Sequence, residues 1–362
     1  MSKPRITHVL WTLHRAGAER VVFDLIDCLK DRYEFRLIAA GGGGEMEQEF
    51  RDLGIEVILG PAGASKPALM KFFAQEFRDH RPDLLHTHLG GDVWAGLVAV
   101  YQRIHPWIST IHNEDRNDPW VRKQLRSFAA KHTDHIACVS HVVKAYVHTQ
   151  FGAPLHRLSV IPNGIDLTPI QERSPRPFQD VPKLLTVGRL VEQKGQETLI
   201  RALAPIKRPW RLDICGEGPD RMRLERLVES LGLLPRITFL GVVPDVKRRL
   251  AQADLFCFPS RWEGQGVAPL EAAASGTPML LSDLPVFREW FDETSVQFAA
   301  VDAVEAWTNV IRRTLEQPAD AIRRAGEAKR LVLERGTREK MADAYATLYE
   351  RWLKTYAHTS SK

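Results

Sequence analysis

The stretch RWEGQGVAPLEAAASGTP, residues 261 to 278, follows the apolar run LFCFPS and carries two carboxylates, Glu263 and Glu271, with Gly264 and Gly266 between them. It reads as strand, loop, helix. The strand ends near Ser260, and the helix runs from about Val267 to Ser275, with Pro269 in the first turn, where a missing N–H is tolerated, and Gly276 at the close. Glu263 then lies on the loop at the sheet edge. The glycines leave room for a ligand against bare amides, and Glu271 on the first helical turns reaches the same cleft. A carboxylate accepts well from vicinal hydroxyls, so one can hold a ribose and the other a hexose. Solvation would explain a single helical glutamate; it does not account for both together with the glycines.

Outward from this stretch, short apolar runs alternate with amphipathic segments: THVLWTL, ERVVFDLIDCLK, FRLIAA, EMEQEFRDLG, IEVIL, LMKFFAQEFRDH, DLLHTH. Such alternation signals βαβ units and parallel sheets. It begins again after the Pro- and Asp-rich TPIQERSPRPFQDVP, with KLLTVGRL, a helix from about 196, WRLDICGEGP, a helix from about 219, ITFLG and DLFCFPS. The expected fold class is therefore α/β, with a first domain over 1–167, a linker over 168–182 and a second domain over 183–337. A last helix over 338–362 places Met341, Tyr345, Leu348, Trp352 and Tyr356 on one apolar face. Periodicity alone leaves open whether it packs on the second domain or crosses back to the first.

A chain of 362 residues suits two domains, and its composition, 44% hydrophobic and 26% charged, is that of a globular protein. The net charge of +5 suits nucleic acid, an anionic membrane or a phosphorylated ligand. The basic residues are scattered, without an arginine-rich helix or an aromatic-basic ribbon, which argues against nucleic acid. The N-terminus lacks the apolar core of a secretory signal, and no segment reaches the roughly 18 to 20 apolar residues of a membrane span. A cytoplasmic protein with at most peripheral membrane contact is expected. Cys28, Cys138, Cys215 and Cys257 have neither metal nor disulfide spacing and read as buried free thiols.

Ligands of open parallel sheets sit beyond the carboxyl ends of the strands. At one such end, AGAERVV (16–22) offers Gly17 for a tight turn into a helix, although a plain strand-to-helix turn explains it equally; GGGG (41–44) lacks GxGxxG spacing. TIHNED sets His112 at another strand end, and DLLHTH sets His86 and His88 at a third; such histidines can donate to a sugar or phosphate. His86 and His88 face one side of a strand, but a metal needs a third ligand that the sequence does not nominate, so no metal is expected. GRLVEQKG (188–195) supplies Arg189 and Lys194 before a helix start, a diphosphate site needing no metal.

Together these residues resemble the retaining glycosyltransferases of family 4, whose GT-B fold has two facing Rossmann-like domains. The likeness covers nearly the whole chain, and EGQGVAPLEAAASGTP, GRLVEQKG and ICGEGPDR carry it. The resemblance implies a donor site in the second domain. Glu271 would bind ribose hydroxyls, Arg189 and Lys194 would neutralise the diphosphate, and amides around Gly266 and Val267, with Gly17 from the first domain, would complete the cradle beside Gly264. Glu263 would hold hydroxyls of the transferred sugar, His112 would lie near its C6 side, and the base would rest between the loop Gly216, Glu217, Gly218 and the backbone near Val243. The last helix would cross to the first domain. Front-side displacement, in which the leaving phosphate takes the acceptor's proton, needs no general base.

The implied activity is metal-independent hexosyl transfer, without a cofactor, from a nucleotide-diphosphate sugar, UDP-linked before GDP-linked. The acceptor would be a glycan or lipid-linked glycan of bacterial cell-surface polysaccharide or lipopolysaccharide biosynthesis, at the inner face of the membrane. Two departures from the family pattern stand out: Gln265 replaces the usual aromatic residue, and SDLPVFRE follows where a double glycine is common. The first bears on the donor sugar. Residues 65–81, with Leu69, Phe72, Phe73 and Phe77 among Lys66, Lys71, Arg78 and Arg81, read either as an interfacial helix or as a core-packed one. A nucleotide-sugar epimerase of the same architecture and a non-catalytic sugar-nucleotide-binding scaffold are the alternative functions.

Overall fold

The computed structural model describes residues 3–88, 91–115, 119–168, 170, 173 and 176–359. The chain divides into two compact units, one formed by residues 1–164 with 338–362, the other by 165–337.

The first unit holds seven strands: β1 (Arg5–Leu10), β2 (Glu34–Ala39), β3 (Glu56–Leu59), β4 (Leu84–His88), β5 (Trp107–Ile111), β6 (His135–Cys138) and β7 (Leu158–Val160). They lie in the order β3-β2-β1-β4-β5-β6-β7, all parallel. β1, β4 and β5 are buried on both faces apart from Arg5, as expected of parallel strands covered by helices on either side. The strand order reverses direction between β1 and β4. A crevice forms at such a point, because the connections on either side leave toward opposite faces of the sheet.

The helix Lys66–Asp79 turns Leu69, Phe73 and Phe77 into a core shared with Val9, Ile38, Leu85 and Trp107. Its apolar face is therefore consumed by packing, and the interfacial reading of 65–81 gives way to the core-packed one. Lys71 and Arg78 form its solvated side. Full burial of each such side chain stabilises by about 1.5–3 kcal/mol.

The second unit holds β8 (Lys183–Val187), β9 (Arg211–Cys215), β10 (Ile237–Gly241), β11 (Leu255–Phe258), β12 (Met279–Ser282) and β13 (Gln297–Ala299), parallel and in the order β10-β9-β8-β11-β12-β13. Here the reversal falls between β8 and β11. The core gathers Leu184, Leu212, Ile214 and Leu255 from the sheet with Leu199, Trp210 and Trp307 from the covering elements.

Residues 168–182, expected as a linker, belong to this second unit. Among the described ones, the backbone N–H of Arg173 donates to the Ser275 carbonyl (2.8 Å), and Arg176 donates to the carboxylate of the fully buried Asp254 (2.6 Å). The helix Arg338–Thr359 packs on the helix Gly17–Leu29 of the first unit. Met341, Tyr345 and Leu348 are buried there as the periodicity requires, whereas Trp352 and Tyr356 are half-buried. Tyr356 is tied by its hydroxyl to Asp134 (2.6 Å).

No described helix is long and apolar enough to cross a membrane. The four cysteines are free, and all but the half-buried Cys28 are buried.

Candidate functional site

In the second unit, the loops leaving β8 and β11 meet at the switch point. β8 ends at Val187, and the chain passes through Gly188 and Arg189 to a single helical turn, Glu192–Lys194. Gly195 closes that turn with φ +63°, and a Cβ there would lie 2.1 Å from the Pro259 carbonyl oxygen, so only glycine lets the two loops come this close. The approach is sewn by the Arg261 N–H donating to the Gln193 carbonyl (2.8 Å) and the Gln193 amide donating to the Trp262 carbonyl (2.9 Å).

This geometry brings the Lys194 ammonium directly onto the Glu263 carboxylate. The same oxygen of Glu263 accepts from the Ser260 hydroxyl (2.8 Å), and the ammonium lies 5.1 Å from the centre of the Phe258 ring. Glu263 is 6% exposed, so its charge is compensated almost entirely by these two donors. In the sequence Ser260 stands out only as the end of a strand. Its signal was present, a hydroxyl three residues before the glutamate at a strand end.

Arg189 is exposed, and its side chain has no hydrogen-bond or ion-pair partner among the described residues. Its carbonyl accepts from the Gln196 amide (3.0 Å), which fixes the backbone while leaving the guanidinium free to move. Gly216 and Gly218 lie against the backbone of the β8 loop: Gly216 has φ +137°, and a Cβ on it would sit 2.0 Å from the Gly188 carbonyl oxygen. Between them the Glu217 carbonyl accepts from the Leu190 N–H (2.9 Å), and its side chain pairs with Arg221 (2.6 Å). Val243 is half-buried beyond β10.

The helix after Glu263 runs Val267–Ala274, one residue shorter than expected, with Gly266 at its N-cap (φ +84°) and Gly276 just past its end (φ +75°). Gly264, expected to leave room for a ligand, is itself buried, so the open amides of this turn start at the half-buried Gly266 and Val267. Glu271 is half-buried on the second turn. The structure thus joins Lys194 to Glu263 directly and stacks the Gly216–Gly218 loop on the residues before Lys194.

In the first unit, Gly17 opens the helix Gly17–Leu29 as an exposed residue without a left-handed φ, so its backbone angle is not what calls for glycine. His112 follows β5. Its Nε2 meets His88 Nδ1 at 3.1 Å, and its buried Nδ1 has no partner among the described residues. Burial pushes the His112 imidazole down to about 4.

The sequence left the pair His86 and His88 without a third member. The fold supplies it in His8, the register partner of His86 across β1 and β4, so the three side chains share a face of the sheet and their nearest ring nitrogens lie within 4.8 Å of one another. These nitrogens are engaged in hydrogen bonds: His8 Nδ1 with His88 Nε2 (3.0 Å), His86 Nδ1 with the Tyr349 hydroxyl (2.6 Å) and His86 Nε2 with the Thr110 hydroxyl (2.7 Å). His86 and His88 thus spend their ring nitrogens on protein partners within the fold.

These loops bring two cations and two carboxylates to the switch point of a parallel sheet, the place where open α/β proteins hold their ligands. Residues 15–169 match the model of Glycosyltransferase Family 4 and residues 168–332 that of Glycosyl transferases group 1. The glycogen synthase of Mycobacterium tuberculosis H37Rv is 30% identical over 290 residues, covering 75% of this chain and 69% of that protein. The O-antigen chain mannosyltransferase RfbU of Salmonella typhimurium is 29% identical over 208 residues, 55% of this chain and 56% of that one. The solved structure of Anabaena Alr3699/HepE in complex with UDP and glucose superposes with TM-score 0.85 at 19% identity, covering 96% of this chain and 99% of that one. The chain belongs to the group 1, family 4 glycosyltransferases, and its fold is that of GT-B enzymes.

Proposed function

We propose that the protein transfers a hexosyl unit, with retention at the anomeric carbon, from a nucleotide-diphosphate sugar to a glycan or glycolipid of the bacterial cell surface. The observation that carries this reading is the contact of Lys194 with Glu263 at the β8/β11 switch point, completed by Ser260 and held where only glycine backbones fit. A cation already aligned with a carboxylate at a strand end suits a leaving diphosphate beside a sugar's hydroxyls.

In this reading Lys194 and Arg189 neutralise the diphosphate and Glu263 orients the sugar. Glu271 takes the ribose, and the amides at Gly266 and Val267 cradle a phosphate. The loop Gly216, Glu217, Gly218 and the backbone near Val243 flank the base. The two side-chain cations supply the charge that a divalent ion would otherwise supply, so transfer proceeds without metal. UDP is preferred and GDP next, supported by the UDP in the HepE complex and by the kinship with mannosyltransferases. The protein acts in the cytoplasm. A lipid-linked acceptor would bring it to the membrane surface, but not through the apolar face of the helix Lys66–Asp79, which lies in the core.

Thermal unfolding with UDP, GDP and ADP, each with and without EDTA, tests the donor site. A nucleotide at a hundred times its dissociation constant adds about 2.7 kcal/mol, a shift of several degrees. One nucleotide should stabilise selectively and insensitively to EDTA, and its sugar conjugates should release free nucleotide only with acceptor, giving a product with the donor's anomeric configuration by proton NMR. No shift with any nucleotide, an inverted product, or turnover surviving Lys194→Ala with Glu271→Ala would sink the reading.

A further inference from the structure

The histidines of the first unit continue into a longer chain of buried polar groups. From His112 it runs to His88 (3.1 Å), to His8 (3.0 Å), to the Tyr349 hydroxyl (3.4 Å), to His86 (2.6 Å), to the Thr110 hydroxyl (2.7 Å) and to the Tyr345 hydroxyl (2.9 Å). His88, His8 and His86 each bond through both ring nitrogens, and His112 ends the chain through its Nε2. His8, His86, His88 and Thr110 are at most 1% exposed, and burial holds the imidazoles neutral, so each ring carries one proton.

One proton per link and one per ring leave two self-consistent arrangements. In the first, Tyr345 donates to Thr110, Thr110 to His86 Nε2, His86 Nδ1–H to Tyr349, Tyr349 to His8 Nε2, His8 Nδ1–H to His88 Nε2, and His88 Nδ1–H to His112 Nε2. His112 is left with a proton on Nδ1. In the second, every bond reverses, all four rings carry the proton on Nε2, and His112 Nδ1 is a bare acceptor.

The ends decide between them. Seven protons share six links, so one is left over in either case: the second arrangement strands it on the buried Tyr345 hydroxyl, whose partner among the described residues is Thr110 alone, whereas the first carries it to His112 Nδ1, the unpartnered end of the chain, where a ligand acceptor can take it. Mixed arrangements, in which Thr110 or Tyr349 accepts from both sides, leave that buried hydroxyl's own proton without an acceptor among the described residues, and the opposite reversal at Tyr349 sets two acceptors against each other at His8. A tightly bound cation on His8, His86 and His88 would have to displace these bonds, and the cluster offers it no carboxylate.

We infer that Tyr345, Thr110, His86, Tyr349, His8 and His88 are positioning residues that hold His112 as its neutral Nδ1–H tautomer, presenting a hydrogen-bond donor to a ligand oxygen. That the oxygen belongs to a sugar or its phosphate rests on the transferase reading; the tautomer does not. The free histidine side chain prefers the Nε2–H form, so the wire imposes the less common one on four rings together.

The test is the long-range proton–nitrogen spectrum of the full chain labelled with 15N-histidine, signals being assigned from single histidine variants. His8, His86, His88 and His112 should all show the Nδ1–H pattern. Tyr349→Phe keeps the ring but cuts the wire three hydrogen bonds from His112; His8, His88 and His112 should then move to Nε2–H, with kcat falling while nucleotide affinity at the second unit is unchanged. A wild-type spectrum with His112 as Nε2–H overturns the inference without any variant. So does a folded Tyr349→Phe with an unchanged His112 pattern, or a stoichiometric divalent metal in the purified protein that His88→Gln removes. A correct tautomer with no transfer from any donor would instead count against the transferase reading alone.

Discussion

Acidification from about pH 7.5 to 5.5 should weaken the first unit and spare the second. His8 is held down to about 3 and His112 to about 4 by burial, against an ordinary 6.5, and His86 and His88 lie well below that value for the same reason. His135 on β6 is lowered to about 4, again chiefly by burial. Unfolded, each ring takes a proton near 6.5; folded, it refuses the proton until pH falls to its depressed value.

The sign is therefore fixed. The contribution is complete above about 6.5 and is lost as pH falls from there toward 4. One unit below the ordinary value, each withheld proton has cost about 1.4 kcal/mol relative to high pH. His8 and His112 alone remove about 2.8 kcal/mol at pH 5.5, and the other buried rings act in the same direction. Against a total of about 5–15 kcal/mol for a typical domain, this is a substantial share of the unit's stability.

Hydrogen exchange read by mass spectrometry on peptides from β4 and β5, and separately from β8 and β11, resolves the two units after correction for the intrinsic rate. Opening energies should fall with pH in the first pair and stay nearly level in the second. A first unit whose opening energy is constant between pH 7.5 and 5.5, or a second that falls in parallel, would refute the reasoning.

Two further outcomes concern the second unit. Gly216→Ala forces a Cβ to within 2.0 Å of a backbone oxygen at φ +137°, which the loop relieves only by moving away from Gly188; about 3 kcal/mol and roughly 6 to 12 °C of melting temperature should be lost, together with nucleotide binding. Asp254→Asn removes the charge facing Arg176 at 2.6 Å and the buried Arg173 at 3.6 Å, where it also accepts the Lys183 N–H; denaturant titration of the second unit should show a loss of about 3–5 kcal/mol.

Much of the second unit's candidate site was legible along the chain because its members sit on two short loops with unusual local chemistry. Arg189 and Lys194 share one loop, and Glu263 shares the other with the glycines, so spacing alone singles them out. Ser260 was less visible, since a serine at a strand end is ordinary until its hydroxyl is found on Glu263. The packing around Gly264, which local pattern does not contain, buries that residue and leaves Gly266 and Val267 half-buried at the helix start.

The sequence by itself determined the α/β class, the restart of the βαβ pattern, the chemistry at the strand ends and the apolar face of the last helix. These follow from periodicity and turn residues, which act over a few positions. Only the tertiary structure decided that Asp254 would capture Arg173 and Arg176 and draw 168–182 into the second unit, and that the last helix would pack on the first. It alone brought His8 beside His86 and set Tyr349 against both and Tyr345 against His86, because strand order and helix docking bring together residues 78 and 263 positions apart. No local signal encodes such meetings: they depend on which strand lies next to which, and that is settled by burial of the whole sheet.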